Sequence, residues 1–156
     1  GLVTIREIDD DHPRPSAPSI FDDWGDMAPE AKTMTHERWL IEAIDGSGRS
    51  TVVGDMSAHA VWNGPTESSR AYSIGLSIVE EYRGRGIGSV AQRLLADALH
   101  ARGVVRVEAS TDVTNIAEQK SLANAGFEIE GVLRSAQGRR DGLHDLQLWS
   151  HIASPS

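Results

Sequence analysis

The chain has 156 residues, 39% hydrophobic and 24% charged, a composition that fits one globular domain (residues 1–156) with a core of its own. Its formal net charge of −8 argues against a nucleic-acid surface, and the lack of cysteine removes disulfides, thiolate metal sites and a cysteine nucleophile. No apolar run approaches the roughly 20 residues of a membrane helix, and GLVTIREIDDDHPRP lacks the basic-then-apolar order of a secretion signal, so a cytoplasmic, membrane-free protein is expected.

LVTIREI (2–8) alternates and is rich in β-branched residues, which predicts a first strand. Residues 9–19, with three prolines, cannot hold regular structure, and short helical pieces are expected beyond them around Phe21 and Trp24. RWLIEAI (38–44) and residues 50–62 read as strands joined by an Asp-Gly turn, and residues 70–79 as a fourth. The period then changes. Val90, Ala91, Leu94, Leu95, Ala98 and Leu99 share one face of a helix from Ser89 to Arg102, stopped by Gly103. A strand (104–110), a helix from Asn115 to Gly126 and two strands, FEIEGVLRSA and LHDLQLWSHI, joined by the polar QGRRDG, complete an α+β order.

Between the fourth strand and the first long helix lies EEYRGRGIGS (80–89). Gly84, Gly86 and Gly88 let the backbone curve so that N–H groups converge on an anion at a helix N-terminus, and Arg83 and Arg85 add charge. A Walker loop would need Lys-Ser/Thr after its last glycine, where this chain has Ile87-Gly88-Ser89. Gly86-x-Gly88-x-x-Ala91, with Glu108 downstream, fits a dinucleotide fingerprint in letters. However, the charged EEYRGR separates it from its strand, and too little chain follows for the remaining strand–helix units.

The segment Arg83-Gly84-Arg85-Gly86-Ile87-Gly88 resembles motif A of the GNAT acetyltransferases, Arg/Gln-x-x-Gly-x-Gly/Ala. A second match, NIAEQKSLANAGFEIEGVLR, carries Asn115, Gly126, Phe127, Glu130 and Gly131, and looks most like the ribosomal-protein and small-molecule N-acetyltransferase branch. The resemblance runs from about Arg38 to Ile152. It implies a mostly antiparallel mixed sheet of about seven strands flanked by helices, with strands splayed at an acyl-CoA site. It also implies acetyl-CoA as cosubstrate, with Ile78, Val79 and residues 83–89 (Arg83, Gly84, Arg85, Gly86, Ile87, Gly88 and Ser89) on the cofactor, joined by Asn115 and Lys120. Residues 9–37 depart from the helix pair that shapes the family's acceptor site, leaving the acceptor open among small-molecule amines and protein N-termini.

Transfer to an amine needs a polarised carbonyl, a neutral amine and a proton for the leaving thiolate. The backbone N–H near Ile78 can serve the first need. Where the family often has a Tyr this chain has Leu122, and where the branch often has a Ser it has Glu118. Glu118, Ser121 and His59 are therefore the candidate acid–base residues, set against plain solvated or structural roles. Glu80, Glu81, Trp24, Trp62, Tyr72 and the pair His144-Asp145 are weaker candidates for the acceptor pocket. The histidine spacing suggests no metal. A cationic acceptor suits the acidic chain, and an exposed terminal strand could support a homodimer. Two rivals stay open: a catalytically inactive acyl-CoA sensor and a dinucleotide-binding oxidoreductase.

Overall fold

The computed structural model describes residues 2–15, 19–32 and 36–155; residues 16–18 and 33–35 of the expected irregular and helical segments lie outside them. Seven strands follow the chain as β1 (Leu2–Ile8), β2 (Glu37–Ile44), β3 (Ser50–Trp62), β4 (Arg70–Ile78), β5 (Arg106–Asp112), β6 (Glu128–Arg139) and β7 (Gly142–Ile152). They form one sheet in the order β1-β2-β3-β4-β5-β7-β6. Every pairing is antiparallel except β4 with β5, which a helical crossover makes parallel. The helices are α1 (Pro29–Lys32), α2 (Ile87–Ala101) and α3 (Ile116–Asn124). The expected α+β mixed sheet is the fold observed.

The core lies between the sheet and the pair α2 and α3. Trp39, Ile41, Met56, Ala58, Ile74 and Val107 on the sheet meet Ile87, Leu95, Leu99 and Leu122 on the helices. On the other face lie irregular segments, residues 9–15 and 19–28, which together make a strap. Arg38 donates from Nη1 to the carbonyls of Asp10 (3.1 Å) and His12, and Arg140 N–H donates to the Asp23 carbonyl at 2.9 Å.

Four expectations need correction. α2 begins at Ile87, two residues early, because Gly86 in the left-handed region (φ 79°) turns the chain directly into the helix. The buried stripe of α2 is Ile87, Ala91, Gln92, Leu95, Ala96 and Leu99, while Val90 is 46% exposed. Of the short helical pieces expected after the proline-rich segment α1 is one, but Phe21 and Trp24 lie in non-helical backbone, Phe21 against the Arg139 guanidinium at 5.6 Å. The polar run after Ala136 continues β6 to Arg139, since an edge strand exposed along most of its length tolerates polar side chains on both faces.

Candidate functional site

Only Tyr72–Val107, Ser73–Glu108 and Ile74–Ala109 pair across β4 and β5. Beyond them β4 follows β3 to Ile78 while β5 follows β7 to Asp112, so the two walls part into a cleft. Gly54 lies opposite Ile78 on β3, and a Cβ there would come within 2.3 Å of the Ser77 carbonyl oxygen. That carbonyl therefore faces β3, and so does the Val79 N–H, which donates to the Val53 oxygen at 2.8 Å. Since peptide units are planar and trans, the Ile78 N–H and C=O must both turn towards the cleft. The carbonyl there accepts Arg83 Nε at 2.9 Å.

A single turn, Glu80–Tyr82, leads into the glycine bend. Gly84 and Gly86 have φ of 74° and 79°, with open space where their Cβ atoms would be. Gly86 offers α2 no side-chain cap, and among the described residues the N–H groups of Ile87, Gly88 and Ser89 find no protein acceptor. Arg85 stacks on the Tyr82 ring at 4.8 Å. The bend thus presents main-chain donors, a helix N-terminus and two guanidinium groups on one short stretch.

On the β5 side, Asn115 caps α3, its side-chain oxygen accepting the Glu118 N–H at 3.2 Å. Glu118 and Ser121, one turn apart, both face α2. There they meet Gln92, whose Nε2 donates to the Glu118 carboxylate while its Oε1 accepts the Ser121 hydroxyl at 3.0 Å. Burial pushes the Glu118 carboxyl above its usual range, with the Gln92 N–H pulling the other way. Gly88 eases the approach, as a Cβ there would lie 3.2 Å from Ser121 Oγ and 3.3 Å from Leu76 on β4, close enough that each side chain would have to give by a few tenths of an ångström. Leu122 points into the core, so a side chain at that position does not reach the cleft. Lys120 is exposed on α3. Gln92 was missed from sequence because a single polar residue inside an apolar stripe carries no signal of its own.

The structure does not bring His59 to this cluster. It pairs with Ser73, five residues along β4 from Ile78 and thus about 17 Å away. There it contacts the His36 ring at 5.3 Å and borders a pocket of about 310 Å³ with Tyr72, Arg70 and Glu37. Burial, followed by the neighbouring His36, lowers its pKa. Glu80 and Glu81 are exposed in their turn, and Trp62 is exposed under Arg70. His144 bridges Asp141 and Asp112, and Asp145 accepts the Ser135 N–H at 2.7 Å, so this pair braces the β6–β7 hairpin.

A mixed seven-stranded sheet that splays beside an uncapped, glycine-led helix is the arrangement expected of the GNAT fold. Comparison with known families matches residues 4–127 to the acetyltransferase (GNAT) family, and the chain belongs to it. It is similar to the uncharacterized N-acetyltransferase YoaA of Bacillus subtilis, 28% identical over 116 residues that cover 74% of this chain and 62% of that one. Among solved structures, RimJ of Mycobacterium smegmatis in complex with CoA-disulfide superposes with a TM-score of 0.63 at 25% identity, covering 80% of this chain and 56% of that one. The ribosomal-protein-S5-alanine acetyltransferase of Vibrio fischeri superposes at 0.62 with 24% identity, covering 75% and 61%. The chain thus spans about three fifths of the length of these relatives.

Proposed function

We propose that the chain binds acetyl-CoA at the bend between β4 and α2 and transfers the acetyl group directly to a primary amine. The observation that carries this is the set of unpartnered donors at residues 87–89 beside the Ile78 N–H, which turns into the same cleft. The bend residues Arg83, Gly84, Arg85, Gly86, Ile87, Gly88 and Ser89 hold the diphosphate, with Lys120 at its edge. The pantetheine arm lies along Ile78 and Val79 and reaches Asn115. The Ile78 N–H stabilises the thioester oxygen as it gains negative charge. Glu118 supplies a proton to the leaving sulfur, with Ser121 as the alternative hydroxyl donor.

The amine enters from the face carrying the strap. Asp9, Asp10, Asp11, Asp22, Asp23 and Asp26 on that segment favour a cationic acceptor by long-range attraction. A ribosomal-protein N-terminus and a small polyamine both meet that description. RimJ is 25% identical and its solved complex contains a CoA-disulfide, which supports a CoA thiol as the partner of the cleft.

Calorimetry with acetyl-CoA tests the first step. Binding is expected in the wild type, with replacement of Arg83 and Arg85 by alanine lowering affinity about tenfold or more. No binding at millimolar acetyl-CoA, or binding untouched by Gly86→Val and by loss of both arginines, would remove the proposal. Stabilisation by NADH alone in a thermal-shift assay would point to the dinucleotide alternative.

A further inference from the structure

Gln92 is 2% exposed on a helix face otherwise filled by Ile87, Ala91, Leu95, Ala96 and Leu99. An aliphatic side chain would pack there without a polar group to satisfy. Its amide is satisfied at both ends, and by two residues of one neighbouring helix, Glu118 and Ser121. Gly88, inside the bend proposed to hold the diphosphate, leaves room for this approach, since a Cβ there would lie 3.2 Å from Ser121 Oγ.

We propose that Gln92 is a positioning residue for acetyl transfer: its amide, held at Oε1 by the Ser121 hydroxyl, grips the Glu118 carboxyl through Nε2, so that the acid on α3 is fixed towards the leaving sulfur. The inference rests on the acetyl-transfer function above. A primary amide suits the task because it can serve either protonation state of its partner. With Glu118 ionised, Nε2 donates to the carboxylate and Oε1 accepts the Ser121 O–H, as observed. With Glu118 protonated, Nε2 donates to the carbonyl oxygen of the carboxyl, which leaves the acid O–H free for the leaving sulfur. During transfer the C–N bond forms, the C–S bond breaks and sulfur takes the Glu118 proton. The proton shed by the amine nitrogen passes to solvent, from which Glu118 is reprotonated.

The test uses Gln92→Met, nearly equal in volume and unable to donate. In protein labelled with ¹³C-glutamate, the Glu118 carboxyl is titrated by NMR without any ligand. Its midpoint should lie above the ordinary glutamate value in the wild type and higher still in Gln92→Met, because the N–H that favours the carboxylate is gone. With acetyl-CoA and a panel of spermidine and short free-N-terminal peptides, Gln92→Met should lower kcat about ten- to hundredfold while leaving KM for acetyl-CoA near its wild-type value. The pH–rate limb assigned to Glu118 should move upwards with the NMR midpoint.

A folded Gln92→Met with an unchanged Glu118 midpoint and an unchanged pH limb overturns the proposal. If that variant fails to fold, Ser121→Ala takes its place: releasing the far end of the amide should shift the same midpoint, and no shift would overturn the proposal equally. Failure of the wild type to bind acetyl-CoA would instead count against the acetyl-transfer function, with the ligand-free titration still deciding whether Gln92 governs Glu118.

Discussion

On one face of the sheet Arg38 and Asp55 meet in an ion pair at 3.2 Å, both side chains about 4% exposed. On the other, Gln92, Glu118 and Ser121 meet around a buried amide. The first knot clamps the strap to β2 and β3 through the carbonyls of Asp10 and His12, and it leaves Arg38 Nε and Asp55 Oδ1 without partners among the described residues. The second has a member whose carboxyl is pushed towards the neutral form, beside an amide that can serve either state. Fixed charge holds architecture in place; a titratable group with a tolerant partner can take part in chemistry.

The largest expected effect comes from breaking the ion pair. Arg38→Ala strands Asp55 in the interior and should cost about 3–5 kcal/mol in chemical denaturation, whereas Arg38→Met with Asp55→Leu should recover most of that loss. Gln92→Met should cost only about 1–3 kcal/mol, since the amide removed carries no charge of its own and Glu118 can shift towards its neutral form. If both knots prove equally costly to break, the contrast between clamp and chemistry fails.

Gly54→Ala sharpens the comparison at the strand between them. The added methyl meets the Ser77 carbonyl, so β3 and β4 must move apart, at about 1–3 kcal/mol by denaturation. Acetyl-CoA affinity should drop with it, because the Ile78 N–H turns with that peptide. Unchanged stability and affinity would show that the Ile78 edge is set by something else.

The smallest effect is a pH slope. His100 donates from Nδ1 to the Val104 carbonyl at 2.7 Å and its Nε2 meets His151 Nδ1 at 2.8 Å. Burial, then His100 and Arg93, lower the His151 pKa, against a smaller opposite pull from Asp97. The unfolded chain then binds protons more readily, so this contribution to stability is complete above about pH 6.5 and is lost as pH falls below it. The melting temperature should decline from pH 7 to 5 less steeply in His151→Phe than in wild type. His144, raised chiefly by its hydrogen bond to Asp141, works in the opposite sense: its contribution is present at low pH and lost as pH rises through its folded value.

Much of the architecture was legible. β1 and β3 fall at the bounds read from the sequence, 2–8 and 50–62, the first by its alternation and the second by the Asp-Gly turn before it. The glycine bend was legible because left-handed backbone at Gly84 and Gly86 demands that residue type. The strap was not, since its course depends on Arg38, Arg139 and Arg140, residues far along the chain with no local mark. Nor was the register of α2: apolar spacing favoured Val90, but the space beside α3 favours Gln92. Of the acid–base candidates, Glu118 and Ser121 converge and His59 stands apart, a matter of sheet register that spacing alone does not reveal.

The ladder between β4 and β5 is only three residue pairs long. Mechanically the sheet is two plates, β1 to β4 and β5 with β7 and β6, joined by a narrow hinge at Tyr72–Ile74. A molecule gripped by the bend on one plate and by Asn115 on the other would act as a staple across that hinge. Amide hydrogen exchange should then slow on filling the cleft, most of all in residues 72–74 and 107–109, which touch none of the ligand.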